Sequence, residues 1–94
     1  MKVYIMGPMT GLPNFNREAF FEKAKELTGL GYTAIHTADM PNGLEYDDYI
    51  KESLNRLSKC DAYVKLPGWE KSNGVKIELA EASKLGIKEL KEIL

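Results

Sequence analysis

Lys2-Val3-Tyr4-Ile5-Met6-Gly7-Pro8 sets how the rest of the chain reads. The run is β-branched and aromatic and stops at Gly-Pro, the mark of a strand that is cut off sharply. Outward from it, Gly7–Asn16 is rich in Gly, Pro and Asn and reads as a loop. Asn16 stands where it can cap the next helix, with Glu18 in the first turn. Phe20, Ala24 and Leu27 then repeat at helical spacing until Gly29 and Gly31 end the stripe. Tyr32–His36 (YTAIH) returns to strand character.

The same alternation continues. Ala38–Glu45 is a loop around Pro41-Asn42-Gly43, and Asp47 and Asp48 sit where a helix start favours negative charge. Ile50, Leu54 and Leu57 form the next stripe. Asp61–Leu66 (DAYVKL) is a third strand broken by Pro67-Gly68. Ser72 or Asn73 caps a third helix that runs to about Leu85 and closes at Gly86. Ile87–Leu90 (IKEL) can be read as a short fourth strand, although Ile87, Leu90, Ile93 and Leu94 are spaced more like a helix. Strands alternating with helices predict an α/β fold: a three-layer, flavodoxin-like parallel sheet of four strands in the order 2-1-3-4. In that order the first and third strands are neighbours. The crevice beyond their carboxyl ends is the switch point where ligands bind, and the loops Gly7–Asn16 and Pro67–Asn73 meet there.

Composition narrows the function classes. The 94 residues predict a single domain over 1–94. Thirteen basic and fourteen acidic residues are interspersed, which excludes a nucleic-acid polymer surface built on bulk charge. The apolar runs are too short to cross a membrane, and the N-terminus has no room for a secretory leader before Gly7-Pro8. The expectation is a cytoplasmic protein with no membrane partner. A single cysteine, Cys60, excludes an internal disulfide framework, and a single histidine, His36, argues against a His-rich metal site. His36 reads as structural or surface, and Cys60 as inert; no metal or cofactor is expected.

One residue breaks the pattern. At about 100° per residue, Val75, Leu79, Ala82 and Leu85 form the sheet-facing stripe of the third helix. Glu78 falls inside that stripe, and Glu81 outside it. A carboxylate on a packing face must be paired or used, because burial disfavours its charge. Glu78 is therefore either a stripe-edge residue paired with a lysine, or a nucleophile or general base at the mouth of the crevice. Ile77 and Ala80 face away from the sheet and suggest a contact between subunits.

Three stretches together resemble the nucleoside 2-deoxyribosyltransferase-like superfamily: Tyr4-Ile5-Met6-Gly7-Pro8-Met9-Thr10-Gly11, Asp61-Ala62-Tyr63-Val64-Lys65-Leu66-Pro67-Gly68-Trp69 and Ser72-Asn73-Gly74-Val75-Lys76-Ile77-Glu78-Leu79-Ala80. Within it the chain is similar to a small, largely uncharacterised, DUF4406-like branch found in phage and bacterial genomes. The resemblance covers nearly the whole chain and implies a flavodoxin-like homo-oligomer whose sites are completed by a neighbouring subunit. It implies cleavage or exchange of an N-glycosidic bond in nucleosides or nucleotides, with Glu78 as nucleophile and Tyr4 beside it. Gly7, Pro8, Met9 and Thr10 would then approach the sugar and any 5′-phosphate. Ser72 stands where transferases of the family carry an aspartate and a monophosphate-hydrolysing branch carries serine. Two features depart from the family: Ser53, with Glu52 beside it, replaces an aspartate that helps with sugar or base, and the tail after Leu85 is short.

The chemistry fits those residue types. A carboxylate under an anomeric carbon can trap an oxocarbenium-like state as a glycosyl ester. The leaving base also needs a proton, and Glu52, Asp47 and Asp48 are the acids that sequence position offers, each equally a surface residue. Ser72, Asn73 and Gly74 offer a hydroxyl and backbone N–H groups to a phosphate, or merely a helix cap. Gly68 and Trp69 belong to the loop beyond the third strand, where Trp69 either stacks on a base or packs on a neighbouring subunit. Asn14 and Asn16 can reach a ligand, Asn16 more readily as a cap. The alternative to an enzyme is a non-catalytic nucleotide-binding or nucleotide-sequestering module; a third reading is an interaction domain with a decayed pocket. Phosphoribohydrolases with a Pro-Gly-Gly motif share the chemistry, but here the motif reads Pro67-Gly68-Trp69.

Overall fold

The structure is a computed structural model and describes residues 1–90. Among the described residues four strands and three α-helices alternate: β1 (Lys2–Met6), α1 (Arg17–Gly29), β2 (Thr33–Ile35), α2 (Tyr46–Ser58), β3 (Ala62–Lys65), α3 (Asn73–Leu85) and β4 (Lys88–Glu89), with short 3-10 turns at Pro13–Asn16 and Trp69–Lys71. The sheet runs β2-β1-β3-β4 and every pair is parallel, as the alternation predicts. β1 lies in the middle, with Tyr4 opposite Ile35 on one side and Tyr63 on the other. A central parallel strand is buried on both faces, which is why Val3, Tyr4, Ile5 and Met6 are all core residues.

The period of two along β1 sorts side chains into two layers. Val3 and Ile5 point to the α1 side and pack with Phe20, Leu27, Val64 and Leu66. Tyr4 and Met6 point to the opposite side and pack with Leu57, Cys60, Val75 and Ala82 from the α2–α3 layer. Tyr4 thus carries its hydroxyl into the layer where α2 and α3 lie against each other.

Several boundaries differ from expectation. β2 and β3 are each trimmed, since ladder pairing stops at Thr33–Ile35 and Ala62–Lys65. Asn16 does not cap α1. Its backbone is left-handed (φ 60°, ψ 21°), not the extended geometry a cap needs, and its side-chain amide donates to the Pro8 carbonyl at 3.0 Å. Asn14 and Phe15 share this left-handed backbone. On α3, Leu85 is not part of the buried face: it is 45% exposed at the last helical position, a turn beyond the buried line Val75, Glu78 and Ala82. The short fourth strand is present, and Leu90 N–H continues its bonding by donating to the Tyr63 carbonyl at 2.8 Å. Ile87 and Leu90 pack on opposite layers, as strand residues do. Ile93 and Leu94 lie outside the described residues.

Candidate functional site

Tyr4 from the sheet meets Ser53 and Glu78 from the two helices of the layer that covers it. Tyr4 reaches up from β1, Ser53 faces inward from α2, and Glu78 faces inward from the second turn of α3. Tyr4 and Ser53 are fully buried, and Glu78 is 6% exposed. The Tyr4 hydroxyl donates to Glu78 Oε2 at 2.5 Å, and the Ser53 hydroxyl donates to the same oxygen. The two hydroxyls are 2.9 Å apart. Each has one proton to give, so when both point at Oε2 their mutual approach is a contact rather than a third bond.

This arrangement sets aside the stripe-edge, lysine-paired reading of Glu78. It lies within the packing face and its partners are hydroxyls, not a lysine. Burial pushes its carboxyl up from the ordinary glutamate value, while the bonds from Ser53 and Tyr4 pull in the opposite direction. Burial also raises the Tyr4 phenol well above its usual value, and the Glu78 charge adds to the rise. Among the described residues Oε1 has no partner, yet no buried side-chain oxygen there is left unpaired. Oε1 is therefore not fully covered.

The residues expected to bind substrate cluster above this centre, at the carboxyl ends of β1 and β3. Gly7 lies against the Leu66 side chain, and a Cβ at Gly7 would come within 2.7 Å of Leu66 Cδ1. Leu66 N–H donates to the Met6 carbonyl at 2.8 Å, which ties the two loops together at their start. Gly68 takes a left-handed backbone (φ 85°), and a Cβ there would sit 3.5 Å from Pro8 Cγ. Met9 reaches α2, where its sulfur accepts the Tyr49 hydroxyl proton at 2.8 Å. Thr10 is exposed. The Ser72 hydroxyl caps α3 by accepting from Val75 N–H at 3.2 Å, and Gly74 follows Asn73 in the first turn near Ile50. Trp69 carries the Lys65 ammonium over its ring, 3.9 Å from the centroid. The loops therefore converge as the strand order requires, and one face of Trp69 is occupied by a cation of its own chain.

Two residues outside the expected binding set belong to the same centre. Ser53 stands out in sequence only as a departure from a family pattern, but it is a full partner of Glu78. Tyr49, one turn earlier on α2, shares its hydroxyl between Met9 and Thr37, 2.8 Å from each, and lies close enough to Glu78 for that charge to raise its phenol further. Both lie outside the Ile50–Leu54–Leu57 stripe, so helical spacing does not mark them as it marks Glu78.

Other titratable groups sit elsewhere. His36 Nδ1 accepts from Ala38 N–H at 3.1 Å while its ring packs near Phe20 and Phe21, a structural role. Burial raises the Cys60 thiol to about 11, which leaves it unreactive. A groove of about 380 Å³ opens along β2 and the outer side of α2, lined by Asp39, Glu52, Asn55, Arg56 and Lys59 among others, away from Glu78. Among the described residues, no helix is long and apolar enough to cross a membrane.

Residues 1–90 match the family described as Domain of unknown function (DUF4406). The chain belongs to this family. The DUF4406 fold is shared with two solved enzymes. One is the CMP N-glycosidase BcmB from Clostridium botulinum, 21% identical with a TM-score of 0.66; the match covers 95% of this chain and 68% of that one. The other is a 2-desoxiribosyltransferase from Leishmania mexicana, 18% identical with a TM-score of 0.73; here the cover is 95% of this chain and 61% of that one. At these identities the likeness is one of fold. No curated protein matches the DUF4406 chain.

Proposed function

We propose that this protein, acting as one domain, cleaves or transfers the N-glycosidic bond of nucleosides or nucleoside monophosphates, with Glu78 as the nucleophile. The observation that carries the reading is the Glu78 carboxylate itself: withdrawn from water and fixed through Oε2 by hydroxyls from β1 and α2, with Oε1 unbonded among the described residues and not fully covered. A side chain held in this way has one oxygen oriented and the other available to an anomeric carbon. The two enzymes of like fold support the reading, since their names describe action on an N-glycoside and transfer of a desoxyribosyl group.

In this reading Glu78 Oε1 attacks the anomeric carbon as the bond to the base breaks, giving a glycosyl ester. Water or a second base then releases the sugar. Tyr4 and Ser53 position Glu78 and favour its ionised form at the moment of attack. Gly7, Pro8, Met9 and Thr10 lie over the sugar, Gly68 and Trp69 bound the base, and Ser72, Asn73 and Gly74 turn backbone N–H groups toward a 5′-phosphate. The chain is expected to work as a homo-oligomer, and to share its branch with phage and bacterial proteins.

Chromatographic detection of free base tests the proposal. Incubation with deoxynucleosides and nucleoside monophosphates should release base, and Glu78→Gln should lower that rate about a thousandfold or more, the scale of losing a covalent nucleophile. No release, together with tight nucleotide binding that Glu78→Gln leaves unchanged, would identify a binding module instead. Absence of both release and binding would leave an interaction domain.

A further inference from the structure

Tyr49 is a polar side chain of the site that the reaction above leaves without a task. Its hydroxyl lies 2.8 Å from Thr37 Oγ1 on one side and 2.8 Å from Met9 Sδ on the other. A thioether only accepts, so the single phenolic proton goes to Met9, and Thr37 must be the donor to Tyr49. The chain of bonds therefore runs one way, from Thr37 through Tyr49 to Met9. Burial keeps the phenol above its ordinary pKa, so it stays a donor through the range where a carboxyl titrates.

The two ends of this chain differ. Thr37 is 2% exposed, and the carbonyl of its buried neighbour Ala38 accepts from Arg17 Nε at 3.0 Å. Met9 is half-buried and opens an exposed turn: Leu12 N–H donates to its carbonyl at 3.2 Å, and Thr10, Gly11 and Leu12 face solvent. Its side chain packs against the α1-side cluster while its sulfur meets α2, so it crosses the carboxyl edge of the sheet. Methionine has three rotatable side-chain bonds and holds one position only where something fixes it. Tyr49 and Ser53 stand four residues apart on one face of α2. That face holds Glu78 Oε2 through Ser53 and the Met9 sulfur through Tyr49.

Resting on the nucleophile reading above, we propose that Tyr49 is a positioning residue: by fixing the Met9 side chain it pre-forms the seat on which the sugar of the substrate rests beside Glu78. The buried Thr37 anchors the hydroxyl, and the hydroxyl passes that anchorage to the exposed β1 loop. A seat formed in advance removes ordering that binding would otherwise have to supply. Once substrate is bound, Met9 occupies the same place with or without the bond. Tyr49 therefore acts on binding and leaves bond cleavage to Glu78.

The test measures binding of the common ribo- and deoxyribonucleoside 5′-monophosphates by calorimetry in a Glu78→Gln background, and base release with Glu78 in place. Tyr49→Phe keeps the ring and removes the hydroxyl. It should weaken binding of the best-bound nucleotide and raise its KM about three- to tenfold, the scale of one hydrogen bond, with a smaller change in kcat. Met9→Leu removes the acceptor at nearly constant volume and should weaken binding alike, and the double variant should weaken it no further. Thr37→Val removes the bond on the other side of the same hydroxyl. Its cost should appear in Tm, with binding within about twofold of the parent. Binding unchanged by Tyr49→Phe, single-variant effects that multiply, or an equal loss in Thr37→Val overturns the positioning role. The expected binding pattern without any base release overturns the nucleophile reading alone. No nucleotide binding at all overturns both.

Discussion

Glu78 is held by two hydroxyls and, among the described residues, no cation, and this choice of partners governs its titration. Burial is the largest influence and raises its pKa above the ordinary glutamate value, against the pull of the two hydroxyls. A group whose folded-state pKa is raised contributes stability at low pH and loses it as pH climbs through the raised value. Glu78→Gln removes that titration. The Tm of the variant relative to wild type should therefore increase from the ordinary glutamate range toward neutrality and be flat below it; thermal denaturation across pH reads this, and a gap independent of pH contradicts it. Tyr4→Phe keeps the ring in the core but removes a bond that favours the ionised carboxylate. The acid limb of the pH–rate profile should move to higher pH in this variant, whereas a merely structural Tyr4 would lower the rate without moving the limb.

At the scale of elements, the β1 and β3 loops are held together by contact as much as by hydrogen bonding. Gly7 has ordinary backbone angles but no room for a side chain, because Leu66 fills the space a Cβ would take. Gly7→Ala should lower stability by about 1–3 kcal/mol, the cost of overpacking a closed site. A Tm unchanged from wild type would show that Leu66 can withdraw freely. Ser72 shows how one residue type serves two readings: its hydroxyl already accepts from Val75 N–H, so the cap expected from sequence is formed. Asn16 shows the reverse. Its residue type suits a cap, but three successive left-handed residues turn it toward Pro8, and that backbone path depends on how Arg17 grips the loop after β2 through the Ala38 and Met40 carbonyls.

Across the whole molecule, strand order and the meeting of the β1 and β3 loops were legible in the sequence, because alternation and handedness leave few ways to build a parallel sheet. Glu78 was legible for a related reason: an acid inside an apolar stripe is a local contradiction that only a partner or a function resolves. Tyr4 was expected beside it and is there, but the residues that α2 brings to it were harder to read. Ser53 and Tyr49 reach the centre only once α2 is set against α3, and that packing angle is not written in the spacing of either helix. The groove along β2 had no signal at all, since its charged residues look like any solvated helix face. In the proposed reaction Glu78 Oε1 bonds to a sugar carbon. Intact-protein and peptide mass spectrometry after incubation with a 2-deoxy-2-fluoro nucleoside monophosphate tests this directly. The account predicts one fluoroglycosyl adduct on the peptide containing Glu78, absent from Glu78→Gln; base release with no adduct, or an adduct on another residue, would contradict it.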